Sequence, residues 1–177
     1  MDTPVLHDSA LQPKLTQAAI LNLFVITLAD VYTLKSMLLL QLPIMVAQAC
    51  SSELKMLIIN SGTIINGQRI RLSLAITLLK KGTEPQEIKG NLNLENYLSG
   101  HITSKSFETD AILLTHLIVA ESTEIAFLGL LSRLAVSLYP RAVGELINVS
   151  LKDARANKKT LETLFIKSLI SAPIKNL

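Results

Sequence analysis

The chain alternates between long aliphatic stretches and a more polar middle. From Lys14 to about Asp30 it reads L-T-Q-A-A-I-L-N-L-F-V-I-T-L-A-D. Gln17, Asn22 and Thr27 are too sparse there to form a solvated face, which predicts a mostly buried helix. A second helix is expected over about 31–41, and a third over about 43–55 with Pro43 in its first turn. The pattern then changes. Residues 66–78 read N-G-Q-R-I-R-L-S-L-A-I-T-L. Asn-Gly is a strong hairpin signal, because a type I′ turn needs positive φ at both central residues. After it, Ile70, Leu72, Leu74, Ile76 and Leu78 alternate with Arg69, Arg71, Ser73, Ala75 and Thr77. That period of two predicts a strand ended by Gly82. Helical spacing also fits Asn66, Arg69, Ser73, Thr77 and Lys80, so an all-α reading stands as the alternative.

A second alternation at Ile88, Leu92 and Leu94 and a short H-I-T-S at 101–104 complete an expected small antiparallel sheet over about 56–104. Helix returns afterwards. Ser106 is placed to cap one running to about Ala120. E-S-T-E at 121–124 has the capping-box form, with Ser122 or Thr123 starting the next helix, which stops before Pro140. A short helix over 141–149 and a last one from Ser150 to before Pro173 follow. The expected fold is therefore α+β and mostly helical. N-terminal helices, a central sheet and C-terminal helices form one domain over 14–177, behind a flexible arm at 1–13.

Composition sharpens this picture. Of 177 residues, 49% are hydrophobic but only 4% aromatic, so the core is aliphatic. Charged residues are 18%, against about 25% in average domains. Excess apolar surface of this kind points to an oligomer interface, a place in a larger complex, or membrane contact. The N-terminus lacks the positive region of a signal peptide. The best membrane candidate, 18–50, is interrupted by Asp30 and Lys35 and broken by Pro43. Its pieces are shorter than the ~20 residues a spanning helix needs, so buried helices and an intracellular protein are expected. The single cysteine, Cys50, reads as a small buried hydrophobe.

No catalytic or metal-binding constellation stands out. His7, His101 and His116 have no Cys, Asp or Glu at ligand spacing. No Gly-x-Ser-x-Gly turn and no phosphate-binding glycine loop is present. Glu121 with Glu124, and Glu84 with Glu87, fit helix N-termini, where acids favour the macrodipole. No cofactor and no small-molecule substrate is implied.

Charge is distributed unevenly. Residues 1–149 hold eleven basic and twelve acidic side chains, whereas 150–177 hold six and two. Lys152, Arg155 and Lys159 recur at i, i+3 and i+7, with Lys158 beside them, and so form a candidate anion- or nucleic-acid-binding face. Arg69 and Arg71, on one face of the expected strand, form a second candidate basic surface with Lys80 and Lys81. The expected function is a non-enzymatic structural or assembly protein, coat-, matrix- or adaptor-like. It self-associates through aliphatic surface and meets an anionic partner through its last helix. The alternatives are a nucleic-acid-binding regulator and a peripheral protein on an acidic membrane surface.

Overall fold

The computed structural model describes residues 16–80, 105–137 and 140–171. They form four helices: α1 (Gln17–Gln48), α2 (Ser52–Lys80), α3 (Phe107–Ala135) and α4 (Arg141–Ser171). There is no strand among the described residues. The expected α+β class is thus corrected to all-α, with residues 66–78 lying inside α2. The strand positions expected over 88–104, and the arm at 1–13, lie outside the described residues.

The reason is visible in which residues α2 buries. They are Leu54, Ile58, Ser61, Ile65, Gln68, Leu72 and Ala75, spaced by four and three in turn. A repeat of 3.5 residues is the signature of helices packed knobs-into-holes. Ile70 and Leu74, which a strand would have buried beside Leu72, remain 58% and 48% exposed. The Asn66–Gly67 pair makes no turn. It rides mid-helix, and a side chain at Gly67 would meet only ordinary contacts.

The same alternation runs through the other helices. α1 buries Phe24, Leu28, Val31, Lys35, Leu38, Leu42, Met45 and, just past its end, Ala49. α3 buries Asp110, Leu114, Leu117, Glu121, Glu124, Leu128, Leu131 and Ala135. α4 buries Val143, Ile147, Ser150, Ala154, Asn157, Leu161 and Leu164. Several breaks expected from the sequence are corrected for this reason. α1 continues through Asp30 and Pro43, whose exposed ring gives up one backbone bond without ending the helix. Ser122 and Thr123 do not cap. Their hydroxyls donate to the carbonyls of Ile118 (2.6 Å) and Val119 (3.0 Å) within α3. Ser150 starts no helix but sits buried inside α4. Ser106 does cap α3, accepting the Thr109 N–H at 3.2 Å.

Each helix packs against two others, in the order α1, α2, α4, α3 around the bundle. Gly62 lets α1 and α2 approach closely: a Cβ there would lie 3.0 Å from Leu42 Cδ1. α3 begins beside the α1–α2 link, where the buried Asp110 accepts the backbone N–H groups of Cys50 (2.6 Å) and Ser51 (2.9 Å). So α2 and α3 run parallel, with the end of α2 and the start of α3 at opposite ends of the bundle, a one-crossover arrangement.

Asp110 also places its charge at the positive end of α2. Asp110→Ala strands two part-buried donors and is expected to cost about 1–2 kcal/mol, read by urea denaturation. Asp110→Asn, which keeps one acceptor, should cost less. An unchanged midpoint for the alanine variant would mean that the link is not held this way.

Candidate functional site: a polar layer across the bundle core

Apart from Asp110 at the start of α3, seven of the buried heptad positions named above hold polar side chains instead of aliphatic ones: Lys35, Ser61, Gln68, Glu121, Glu124, Ser150 and Asn157. They lie where two aliphatic clusters meet, Ser150 reaching into the first and Ser61 into the second. The first contains Phe24, Leu72, Leu128 and Ile147, the second Met45, Ile58, Leu114 and Leu161. The layer is fully enclosed, with Lys35 and Glu124 both 0% exposed.

The layer is tightly bonded. Lys35 Nζ pairs with Glu124 Oε1 and donates to Gln68 Oε1. Gln68 Nε2 donates to the Ser150 carbonyl at 3.1 Å. Ser61 donates to Asn157 Oδ1 (2.9 Å), and Asn157 Nδ2 donates to Glu121 Oε1 (2.7 Å). From Ser150 the chain of contacts reaches the surface. Its hydroxyl accepts from Arg71 Nε at 3.1 Å, and Arg71 pairs with Asp153. All four helices are therefore tied through buried polar groups, which extend over one heptad, from Ser61 to Gln68 in α2 and from Ser150 to Asn157 in α4.

Two carboxylates share one ammonium here, and burial disfavours their charged forms. Burial pushes Glu121 above the ordinary value of 4.5, with Lys35 and the Asn157 hydrogen bond pulling the other way. Glu124 is pushed up to about 7, first by burial and then by Glu121, against the pull of Lys35. Glu121 Oε2 and Glu124 Oε2 have no hydrogen-bond partner, so each carboxyl keeps an unsatisfied oxygen in the core.

This layer was not legible from spacing alone. Glu121 and Glu124, expected at a helix N-terminus, are mid-helix and buried. The available signal was a lone lysine and an i, i+3 acid pair inside otherwise apolar helices. His116 is half-buried, and burial lowers its pKa. Cys50 is a free thiol, half-buried at the α1–α2 link.

The expected basic faces are rearranged. Lys152 and Arg155 do come together, on the wall of a groove of ≈ 420 Å³ between α3 and α4, and Arg133 of α3 joins them. Lys158 instead pairs with Glu162 along α4 at 3.4 Å. Lys159 lines a different groove, with Glu53 and Lys167. Arg69 and Arg71 do not share a face. Arg69 lines a groove with Tyr32 of α1, while Arg71 turns to Asp153 of α4. Lys80 ends α2, and Lys81 lies outside the described residues.

The fold and its core define a one-crossover four-helix bundle with a buried polar layer. The chain belongs to the family described as a domain of unknown function (DUF892), matched over residues 20–172. It is similar in structure to the Escherichia coli stress protein YciF, with TM-score 0.75 and 22% identity over 86% of this chain and 98% of that one. It also resembles YcfI from Rhodopseudomonas palustris, described as a "putative structural protein". There the TM-score is 0.66, with 20% identity over 88% of this chain and 97% of that one. No curated protein matches the sequence.

Ferritin-like bundles have this one-crossover connectivity, and some hold paired metals with inward Glu and Glu-x-x-His residues. The residues here do not fit such a group. The ammonium of Lys35 already occupies the space between Glu124 and Gln68, and Gln68 and Asn157 are spent on hydrogen bonds. No cluster of three or more His, Cys, Asp or Glu suited to a metal exists among the described residues.

The layer makes stability depend on pH. Folded Glu124 keeps its proton up to about 7, while the unfolded side chain releases it near 4.5. The resulting stabilisation is full below about 4.5 and is lost as pH rises through about 7. Urea unfolding at pH 5 should therefore exceed that at pH 8 by up to ~3 kcal/mol. Glu124→Gln should shrink this difference, and an unchanged difference would assign it to another group. Lys35→Met leaves two facing carboxyls without a cation and should cost about 3–5 kcal/mol at pH 8.

Proposed function

We propose that this protein is a non-enzymatic structural component that self-associates through the outer wall formed by α1 and α3. The observation that carries this reading is the sorting of charge among the helices. α1 contains only two charged residues, Asp30 and Lys35, and Lys35 is buried. α3 contains five, of which Asp110, Glu121 and Glu124 are buried, leaving Glu108 and Arg133 near its two ends. α4 alone carries nine, none of them buried.

The outer wall of α1 and α3 consequently presents aliphatic side chains to solvent. Leu40 is 74% exposed and Ile44 50%, with Leu23, Ile26, Ile112, Val119 and Leu130 beside or opposite them. Both helices are long and apolar enough to cross a membrane, by length and composition alone. Adjacent helices of this length form a wall roughly 45 Å by 20 Å, or roughly 900 Å². A standard protein interface takes about 800 Å² from each partner, so the wall has the size a stable dimer needs.

A second copy is a better occupant than a lipid surface. Peripheral helices engage anionic membranes with cations along the rim of their apolar face. α1 offers no exposed cation, and Arg133 is the only one in α3. Asp30, Thr33 and Thr115 interrupt the wall, and a protein partner can hydrogen-bond to them where lipid tails cannot. A two-fold interface needs only that one patch be complementary to itself. The name of the Rhodopseudomonas palustris neighbour supports a structural role by analogy of fold.

Light scattering on a detergent-free column at about 0.1 M and about 1 M salt should give a dimer or larger at both, since apolar burial resists screening. Leu40→Glu with Ile44→Glu should yield a folded monomer with unchanged helical circular dichroism. A wild-type monomer at ~100 μM, where a ~1 μM dimer would be saturated, would overturn the reading. So would co-flotation with neutral vesicles that the same two substitutions abolish.

A further inference from the structure

We infer that the groove between α3 and α4 binds a small multivalent phosphate, held by Arg133, Lys152 and Arg155. Three cations from two helices converge on this groove, and all three are exposed. No acidic residue lines it. The acids that could have neutralised them are engaged elsewhere: Asp153 with Arg71, Glu145 with Arg141 and Glu162 with Lys158. Neighbouring like charges repel, so this arrangement is relieved when a polyvalent anion enters.

The neutral groups of the groove suit the same ligand. Ser132 donates to Asn148 Oδ1 at 2.6 Å, which commits that oxygen as an acceptor and leaves the Asn148 amide free to donate. Gly129 keeps the α3 side of the groove low, and a Cβ built there would meet nothing within 4 Å. Two guanidinium forks and one ammonium match the oxygens of a di- or triphosphate group, since arginine binds phosphate through paired, coplanar donors.

The groove does not extend into a track for a nucleic-acid backbone. Lys158, one turn further along α4, is paired with Glu162, and Lys159 lines the groove on the α2 side. No aromatic side chain lines the site to stack a base. The ligand is therefore recognised by its phosphates, whether free polyphosphate or the phosphate chain of a nucleotide.

Calorimetric titration of the full chain with tripolyphosphate, ATP and orthophosphate tests this. Tripolyphosphate should bind with a dissociation constant below about 1 mM at low salt, more tightly than orthophosphate, and weaken as salt rises. ATP binding as tightly as tripolyphosphate would place recognition in the phosphate chain, and much tighter ATP binding would overturn phosphate-only recognition. Arg133→Gln with Lys152→Gln and Arg155→Gln should weaken tripolyphosphate at least tenfold. Gly129→Glu, which adds a carboxylate where a side chain has room, should do likewise. Lys55→Gln with Arg141→Gln and Lys159→Gln removes as many charges elsewhere and should leave binding within about twofold. Equal losses in both triple variants would reduce the effect to net charge and overturn the site. So would failure of tripolyphosphate to bind at all, or binding only of a 20-mer oligonucleotide or of anionic vesicles. Helical circular dichroism and column size of each variant separate loss of the site from loss of fold or of self-association.

Discussion

The pairing of Lys35 with Glu124 is the constraint around which the bundle is arranged. An ammonium without exposure to water is tolerable only beside a counter-charge and with its remaining donors engaged. Glu124 supplies the charge once its carboxyl ionises, at about 7, and Gln68 a hydrogen-bond acceptor, from α3 and α2. Aliphatic heptads are permissive by comparison, since sliding a helix by seven residues would still bury leucines against leucines. A slide of one heptad moves a residue about 10 Å along the axis. It would set Lys35 at the level now held by Leu28 or Leu42, each a member of an aliphatic cluster, and part it from Glu124 and Gln68. The polar layer therefore fixes register, at a cost in stability that an all-aliphatic core would avoid.

The layer also couples the helices that share least surface. α2 and α3 lie diagonally across the bundle, yet both reach Asn157 of α4, through Ser61 and Glu121. Lys35 of α1 reaches the backbone of α4, its own diagonal partner, through Gln68. Loss of one member leaves others buried without partners, so the layer is stable as a unit and poor in parts.

Much of the helical content was legible in the sequence, but the lengths of the helices and the class of the fold were not. The stretches around 18–48, 107–135 and 150–171 read as helical, and Ser106 reads correctly as a cap. The reading failed wherever polarity and burial are exchanged. An amphipathic stripe is recognised by apolar residues inside and polar ones outside. Gln68 inside α2 and Ile70 outside it invert that rule, and alternation of two then outcompetes the true spacing of three and four. Glu121 inside α3 reads as a helix start for the same reason. Of the site residues, Lys152 and Arg155 could be grouped because they lie on one helix. Arg133 could not, because only the packing of α3 on α4 brings it to them.

The same inversion accounts for the composition. A chain with 18% charged residues and a mean hydropathy of +0.42 would ordinarily bury its aliphatic excess and spread its few charges over the surface. Here Lys35, Asp110, Glu121 and Glu124 are withdrawn into the interior, and nearly all remaining helical charges fall on α2 and α4. Each charge placed in the core is one fewer on the wall of α1 and α3. A polar core and an apolar outer wall are thus two consequences of one allocation: the residues that fix the register inside the bundle are the ones whose absence leaves its outer wall aliphatic.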